Sequence, residues 1–64
     1  MIKEDALIAL QEGKTLTHRL FSPEEWVKGN GDDKYELENG CTCSFDEFWR
    51  WRTDDAWNTG WSIK

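Results

Sequence analysis

Apolar residues near the N-terminus recur at the spacing of one face of an α-helix. The stripe consists of Ile2, Ala6, Leu7, Ala9 and Leu10. It predicts a helix from about Lys3 to Glu12, whose first turn carries Glu4 and Asp5, as the helix dipole favours. Gly13 follows where the end of a helix favours a left-handed residue. The first element is therefore expected to be a helix that ends before Gly13.

After this helix the pattern changes to the period of a strand and then to a helix-capping sequence. The segment Lys14–Phe21 predicts a strand with Leu16, His18 and Leu20 on one face and Thr15, Thr17, Arg19 and Phe21 on the other. Ser22-Pro23-Glu24-Glu25 combines an N-cap serine, a proline at the first helical position and a glutamate three residues after the cap. This predicts one short helical turn that ends by Lys28 and carries Trp26 and Val27 inward, followed by a loop over 29–33.

The middle of the chain predicts a β-hairpin from Lys34–Leu37 and Cys41–Phe45. A two-residue Asn39-Gly40 turn would set Leu37 against Thr42 and both cysteines against glutamates. A three-residue loop with a left-handed Gly40 instead pairs Leu37 with Cys41 and Tyr35 with Cys43. The second register is preferred because it puts five apolar side chains on one face, those of Tyr35, Leu37, Cys41, Cys43 and Phe45.

The last third begins with a second capping sequence, Ser44-Phe45-Asp46-Glu47. It predicts a short helix from Phe45 to about Trp51, with a stripe of Phe45, Phe48 and Trp49 that Arg52 extends. Asn58-Thr59-Gly60 predicts a turn, and Trp61–Ile63 a terminal strand with Trp61 and Ile63 on one face. The order of elements predicts a single α+β domain over 1–64, in which the N-terminal helix packs on a small antiparallel sheet with short helical turns between strands.

The chain is unusually rich in tryptophan, with five in 64 residues. A domain of this size buries only roughly 60% of its unfolded surface. Each aromatic side chain can bury about 150–250 Å². We therefore expect one or two tryptophans at a subunit interface or ligand site. We also expect a homo-oligomer, because a monomer would expose a large apolar area.

The charge balance is acidic, with thirteen acidic and eight basic residues and a net charge of −5. This argues against non-specific nucleic-acid binding, which needs cations to neutralise phosphates. It suits a basic partner surface. No apolar run approaches the roughly 20 residues of a membrane span, and the N-terminus lacks a signal-peptide pattern. We expect a cytoplasmic protein without membrane contact.

Few residues suit catalysis or metal binding. His18 is the only histidine, and no Ser–His–Asp or Cys–His arrangement surrounds it in the sequence. Cys41 and Cys43 with one remote histidine are an incomplete zinc set. There is no glycine-rich phosphate loop. We therefore expect no enzyme, no metal site and no cofactor, with the cysteines as small buried hydrophobes.

One segment, Trp49-Arg50-Trp51-Arg52, interleaves aromatic and cationic side chains. These residue types suit stacking on a base while an arginine meets a phosphate. The structural alternative is that Trp49 packs in the core and the arginines pair with carboxylates. His18 and Arg19 form a second cationic spot, whose alternative is a surface arginine beside a half-buried histidine. The candidate ligand-binding residues are His18, Arg19, Trp49, Arg50, Trp51 and Arg52.

The sequence Ala9–Phe21, ALQEGKTLTHRLF, resembles the opening of a group of small bacteriophage proteins, which have the form ALxxGKxVRRxxW and end in an acidic DWxI strand. Gly13-Lys14, Leu16 and the final Gly60–Ile63 follow that pattern. Thr17 and His18 stand at its two arginine positions, and Phe21 stands at its tryptophan. The group resembles the Thoeris anti-defence type-two domain family, whose members sequester cyclic nucleotide signals made by bacterial immune enzymes.

This resemblance implies a small homo-oligomeric helix-and-sheet protein that holds ligands between subunits in the host cytoplasm. The function expected from it is a non-catalytic phage-encoded sponge for a cyclic nucleotide or related phosphorylated immune signal. Trp49 or Trp51 would stack on a base, and Arg19, Arg50, Arg52 and His18 would meet phosphate. The alternative is an acidic inhibitor or accessory protein that docks on a host protein through DNA-like negative charge.

Overall fold

The computed structural model describes residues 1–31 and 33–64. Within those ranges the chain forms one antiparallel sheet of five strands, in the order β4-β3-β2-β1-β5. The elements are α1 Lys3–Gln11, β1 Thr15–His18, β2 Val27–Gly29, β3 Lys34–Leu37, β4 Thr42–Ser44, α2 Phe45–Arg50, a 3₁₀ turn Asp55–Trp57 and β5 Trp61–Ile63. Helix α1 contacts β1, β2 and β5, and α2 contacts β3 and β4. The predicted α+β class, with a helix on a small antiparallel sheet, is confirmed.

The core is built from both helices and from all strands except β4. Its buried members are Ala6, Ala9, Leu10, Leu16, Val27, Tyr35, Phe48, Trp49 and Trp61. His18 is buried with them. Half-buried side chains, among them Phe21 and Trp57, pack against this cluster.

Helix α1 ends as its sequence predicts. Gly13 has a φ of +81°. Its N–H donates to the Leu10 carbonyl at 3.0 Å, and the Lys14 N–H donates to the Ala9 carbonyl at 3.0 Å. These two hydrogen bonds satisfy carbonyls that the end of the helix would otherwise leave free. The predicted stripe is only partly buried, because Ile2 is exposed at the N-cap.

Strand β1 is shorter than predicted and ends at His18. There the Phe21 N–H donates to the His18 carbonyl at 2.9 Å and the Leu20 N–H donates to His18 Nδ1 at 3.0 Å. These bonds turn the chain out of the sheet. The prediction that Leu20 shares the face of Leu16 is therefore wrong, and Leu20 is exposed. Phe21 instead returns toward the core.

The helical turn predicted after Ser22 is wrong. The Glu25 N–H donates to the Ser22 carbonyl at 3.0 Å, and the Ser22 N–H donates to the Glu25 carboxylate at 3.1 Å. The capping contacts thus close a single β-turn. The chain then enters β2, where Val27 is fully buried and lies between Leu16 on β1 and Leu37 on β3. Pairing on both sides overrides the local helix signal, and half-buried Trp26 stays outside the core cluster.

Gly29 belongs to β2, although the sequence predicts a loop there. Helix α1 crosses this residue so closely that a Cβ added to Gly29 would lie 1.6 Å from the Leu10 carbonyl oxygen. The absence of a side chain at this strand position lets the helix backbone approach the sheet. Gly29 therefore sets how deeply Leu10 is seated in the core.

The hairpin follows the preferred register. Tyr35 pairs with Cys43, and the Leu37 N–H donates to the Cys41 carbonyl at 2.9 Å. Gly40 is left-handed, with a φ of +84°. Cys41 is exposed, so its expected place on the buried face is wrong.

Helix α2 is confirmed, and it begins at its predicted cap. The Glu47 N–H donates to Ser44 Oγ at 3.1 Å, and that hydroxyl lies 3.2 Å from the Glu47 carboxylate. The helix ends at Arg50, one residue before its predicted end. The predicted strand β5 is also present and pairs with β1 at the edge of the sheet. Its Trp61 is buried, but Ile63 is exposed.

We predict that Gly29→Ala destabilises the fold by about 3 kcal/mol or more, because the added methyl group forces α1 away from β2. Gly40→Ala is the matched control. Gly40 has a left-handed backbone, but no atom lies within 4 Å of an added Cβ. Its replacement should therefore lower the free energy of unfolding by only about 1–2 kcal/mol. Urea unfolding of both variants measures the difference. Equal losses would contradict the close approach of helix and strand.

Candidate functional site

The structure divides the six candidate residues between the core and the surface. His18 is in the core. Its Nδ1 accepts the Leu20 N–H, so Nε2 carries the ring proton and donates to the Thr59 carbonyl at 2.7 Å. Its ring lies 4.4 Å from the Trp57 ring and 4.6 Å from the Trp61 ring, between centroids. With both nitrogens engaged and aromatic neighbours packed against it, this ring does not present itself to a phosphate.

Trp49 is also a core residue, which agrees with the alternative that it packs in the core and does not stack on a ligand. Its indole N–H donates to the Tyr35 hydroxyl at 3.0 Å, and its ring lies 5.4 Å from the Trp61 ring. The Lys3 ammonium sits 4.7 Å from the Trp49 ring centroid. A base could stack on this indole only by displacing core side chains or Lys3.

Arg52 occupies an intermediate position with an unusual set of contacts. Its Nη1 donates to the Phe48 carbonyl at 2.7 Å. The guanidinium carbon lies 4.1 Å from the Phe48 ring centroid and 5.2 Å from that of Trp57. Its buried Nε has no hydrogen-bond partner. Aromatic rings and a backbone carbonyl therefore hold this cation, and one of its donors is unsatisfied.

The predicted alternative, in which the arginines pair with carboxylates, does not describe Arg52. Among the residues that the structure describes, the only ion pair within 4.0 Å is Lys14–Glu12, at 3.7 Å. Burial lowers the pKa of Arg52, while Cys43 and Glu25 act in the opposite direction. An arginine stays charged in a protein even so. Among the described residues, no carboxylate lies within 4.0 Å of the half-buried positive charge beside Phe48.

Arg50 and Trp51 lie at the surface, at the C-terminal end of α2. Trp51 directly follows the helix and is 79% exposed, the highest value among the exposed large apolar side chains. Arg50 is exposed in the last turn of the helix. Arg50 and Trp51 are therefore the two adjacent candidates that the fold leaves open to ligand, and half-buried Arg52 follows them in the chain. Arg19 is exposed elsewhere, at the end of β1 beside Gly60.

A groove that the sequence did not predict lies at the other end of α2. Its cavity of about 460 Å³ is lined by Leu7, Ile8, Leu10, Gln11, Asn30, Gly31, Asp33, Lys34, Tyr35 and Phe45. An adjoining depression of about 390 Å³ shares Gln11, Asp33 and Phe45 and adds Ser44 and Asp46. Three separate segments assemble it, so no local motif marks it. The one sequence feature that could have indicated the groove is Ile8, because it is an apolar residue of α1 that lies outside the stripe predicted to face the core.

In residues 1–31 and 33–64, no group of three or more His, Cys, Asp or Glu side chains is placed to hold a metal ion. The same part of the chain has no helix with the length and apolar character needed to cross a bilayer. No family model, curated protein or solved structure matches this sequence.

We predict that stability falls in alkaline solution as buried Tyr35 is forced to ionise. Burial raises the pKa of Tyr35, and the Trp49 N–H acts in the opposite direction. The folded state thus favours the neutral phenol. The contribution of Tyr35 to the free energy of unfolding is complete below its unfolded pKa of about 10, and it is lost as the pH rises through the higher pKa of the folded protein. Urea unfolding between pH 7 and 11 should show this decline.

Tyr35→Phe provides the comparison. At neutral pH it should cost about 1–3 kcal/mol, because the buried Trp49 N–H loses its acceptor. Above pH 10 it should lose less further stability than the parent protein. Burial also raises the pKa of Cys43, so this thiol would ionise in the same alkaline range. Both proteins of the comparison, the parent and Tyr35→Phe, should therefore carry the Cys43→Ala substitution. If the free energy of unfolding falls equally with pH in the proteins with and without the Tyr35 hydroxyl, ionisation of Tyr35 is not the cause of the alkaline loss of stability.

Proposed function

We propose that this chain is a non-catalytic, phage-type binding protein that sequesters a cyclic nucleotide or related phosphorylated signal. The observation that carries the proposal is Arg52, a half-buried guanidinium that two aromatic rings hold in place and that has no carboxylate within 4.0 Å among the described residues. An anionic ligand would supply the missing counter-charge, and hydrogen bonds to a charged group contribute about 1.5–3 kcal/mol each.

The surroundings of Arg52 favour a phosphate carried by a flat organic group. Phe48 and the helix carbonyl orient the guanidinium, so little side-chain entropy remains to be lost when it meets an anion. Trp51 precedes it in the chain and offers a free indole for stacking. Arg50 supplies a second cation at the same end of α2, and this one is exposed. Stacking and charge together match the two parts of a nucleotide.

The rest of the molecule supports binding rather than catalysis and a small ligand rather than nucleic acid. His18 is the only histidine, and its two ring nitrogens are engaged in hydrogen bonds. A histidine that acts as a general base needs a free ring nitrogen within reach of substrate. The net charge of −5 repels a long polyanion, whereas a small ligand meets only the local cations.

We predict that calorimetric titration with cyclic mononucleotides, cyclic dinucleotides and cyclic ADP-ribose products will find a ligand. Trp51→Ala should weaken its binding by about 5- to 150-fold, the equivalent of about 1–3 kcal/mol of stacking. Arg52→Gln should weaken it through loss of the charge. Lys28→Ala, which removes an exposed cation on β2, is the control and should bind normally.

Two results would overturn the proposal. One is the absence of binding to every compound at a protein concentration of about 100 µM, which is sufficient for dissociation constants approaching 1 mM. The other is a ligand whose affinity is unchanged in both Trp51→Ala and Arg52→Gln. Thermal unfolding checks that each variant is folded, and Trp51→Ala should unfold like the parent because its side chain is exposed.

A second candidate function is an acidic protein that docks on a basic host protein. The supporting observation is that, of the carboxylates in the described residues, only that of Glu12 has a cation within 4.0 Å. Asp54 and Asp55 are exposed, as are Asp46 and Glu47. Unpaired surface acids steer a basic partner. A partner captured from bacterial lysate that is released by raised salt, with no small-molecule binding, would favour this function over the first.

A further inference from the structure

The groove beside α1 and the first residue of α2 exposes apolar side chains that the core does not cover. Ile8 and Phe45 are 55% and 38% exposed, and Leu7 and Tyr35 also line the cavity. Exposed apolar surface that is grouped and rimmed by polar residues marks an interaction site. The cavity of about 460 Å³ has the size of a ligand-binding site, which is roughly 300–1,000 Å³. It can therefore accommodate one large apolar side chain of a partner.

Acidic side chains predominate around this groove. Asp33 lines both adjoining cavities, Asp46 lines the smaller one, and Lys34 is the one basic residue among the described lining residues. At about 100° per residue, Glu4 points within about 40° of Ile8, so it lies on the side of α1 that faces the groove. None of these three carboxylates has a cation within 4.0 Å in the described part of the chain. The rim therefore carries three unpaired acids and one base.

Hydrogen bonds and helices hold this rim in place. The Asp33 carbonyl accepts the Phe45 N–H at 2.7 Å, which ties the residue before β3 to the start of α2. Asp46 lies in the first turn of α2, two residues after the Ser44 cap, and Glu4 lies in the first turn of α1. The acids thus belong to a preformed surface, so a partner would lose little affinity to ordering of this backbone.

We propose that this groove binds a basic segment of a partner protein, in which a large apolar side chain is flanked by lysine or arginine. The apolar side chain fills the cavity beside Ile8 and Phe45, and the flanking cations meet the acids of the rim. Opposite charges steer the encounter and select the partner, while a buried apolar anchor supplies most of the affinity. The proposal gives a site to the second candidate function, docking on a basic protein, and rests on that function.

A phosphorylated signal does not suit this groove. Asp33 and Asp46 would repel its phosphate. A neutral apolar compound would fill the cavity but leave the carboxylates of the rim without a counter-charge. Neither Trp51 nor Arg52 is among the residues that line the two cavities. The groove and the Arg52 region therefore select occupants of opposite charge.

Selection from a random library of short peptides displayed on filamentous phage supplies an unbiased probe. The protein should enrich peptides in which an aromatic or large aliphatic residue lies beside lysine or arginine. Synthetic copies of these peptides should bind more weakly as salt is raised, because the ion pairs at the rim are screened. In amide NMR spectra, the signals of Ile8, Lys34 and Phe45 should shift on binding. A library that enriches no peptides, or only peptides without basic residues, would overturn the proposal.

Two substitutions test the apolar wall. Ile8→Ser should weaken the binding of a selected peptide by at least about tenfold, as expected for loss of an anchor contact. Ile63→Ser is the matched control, because Ile63 is 54% exposed on edge strand β5 and does not line the groove. It should bind the peptide like the parent. Thermal unfolding checks that both variants are folded.

A second pair of substitutions tests the acidic rim. Asp33→Asn removes one charge, and asparagine tolerates the left-handed backbone of Asp33, which has a φ of +59°. It should weaken peptide binding by about twofold to fivefold at low salt, the range of an exposed ion pair, and by less at high salt. Asp54→Asn is the control, because it makes the same change in net charge at an exposed residue outside the groove.

Further measurements separate this proposal from both candidate functions. Trp51→Ala and Arg52→Gln should bind the peptides normally, so the nucleotide proposal can fail without affecting the groove. Peptides that bind Ile8→Ser and Asp33→Asn as tightly as the parent would overturn the groove as their site. If Ile8→Ser loses the peptides but still captures a salt-sensitive protein from bacterial lysate, the second candidate function stands and the groove is not its docking surface.

Discussion

The packing of the Trp61 indole holds together the two halves of the core, one beside β1 and the other beneath α2. It packs against five other rings, those of His18, Phe21, Phe48, Trp49 and Trp57. Its N–H donates to the Trp57 carbonyl at 2.8 Å, so the polar edge of a buried tryptophan is satisfied as well. Edge-to-face contacts of this kind fix ring orientation in addition to burying area. Trp61 thereby joins the β1 side of the core to α2.

The residues around Trp61 explain which site predictions hold. His18 and Trp49 were candidates because of their chemistry, but both rings are needed to surround this indole. Arg50 and Trp51 follow Trp49 on a helix, where neighbouring residues point in different directions. The same period that buries Phe48 and Trp49 therefore leaves Trp51 outside. Arg52 returns to the Phe48 side and stays half-buried.

Local chemistry made several parts of the fold predictable. Gly13 and Ser44 act through bonds within a few residues, so their helix boundaries could be inferred from short sequences. The hairpin register followed from requiring Tyr35 and Cys43 to share a face. Strand β2 was missed because its three residues carry a weak strand signal and depend on partners at Leu16 and Leu37. The groove was missed for the same reason, since distant segments form it.

The strand order also has a consequence for how the chain folds. Strands β1 to β4 are neighbours both in sequence and in the sheet, so their pairings close short loops. Strand β5 instead returns to β1, where its register joins Leu16 to Ile63. Loop-closure entropy makes such distant pairing the slower event. We therefore expect the pairing of β5 with β1, and with it the burial of Trp61, to limit the rate at which the chain folds.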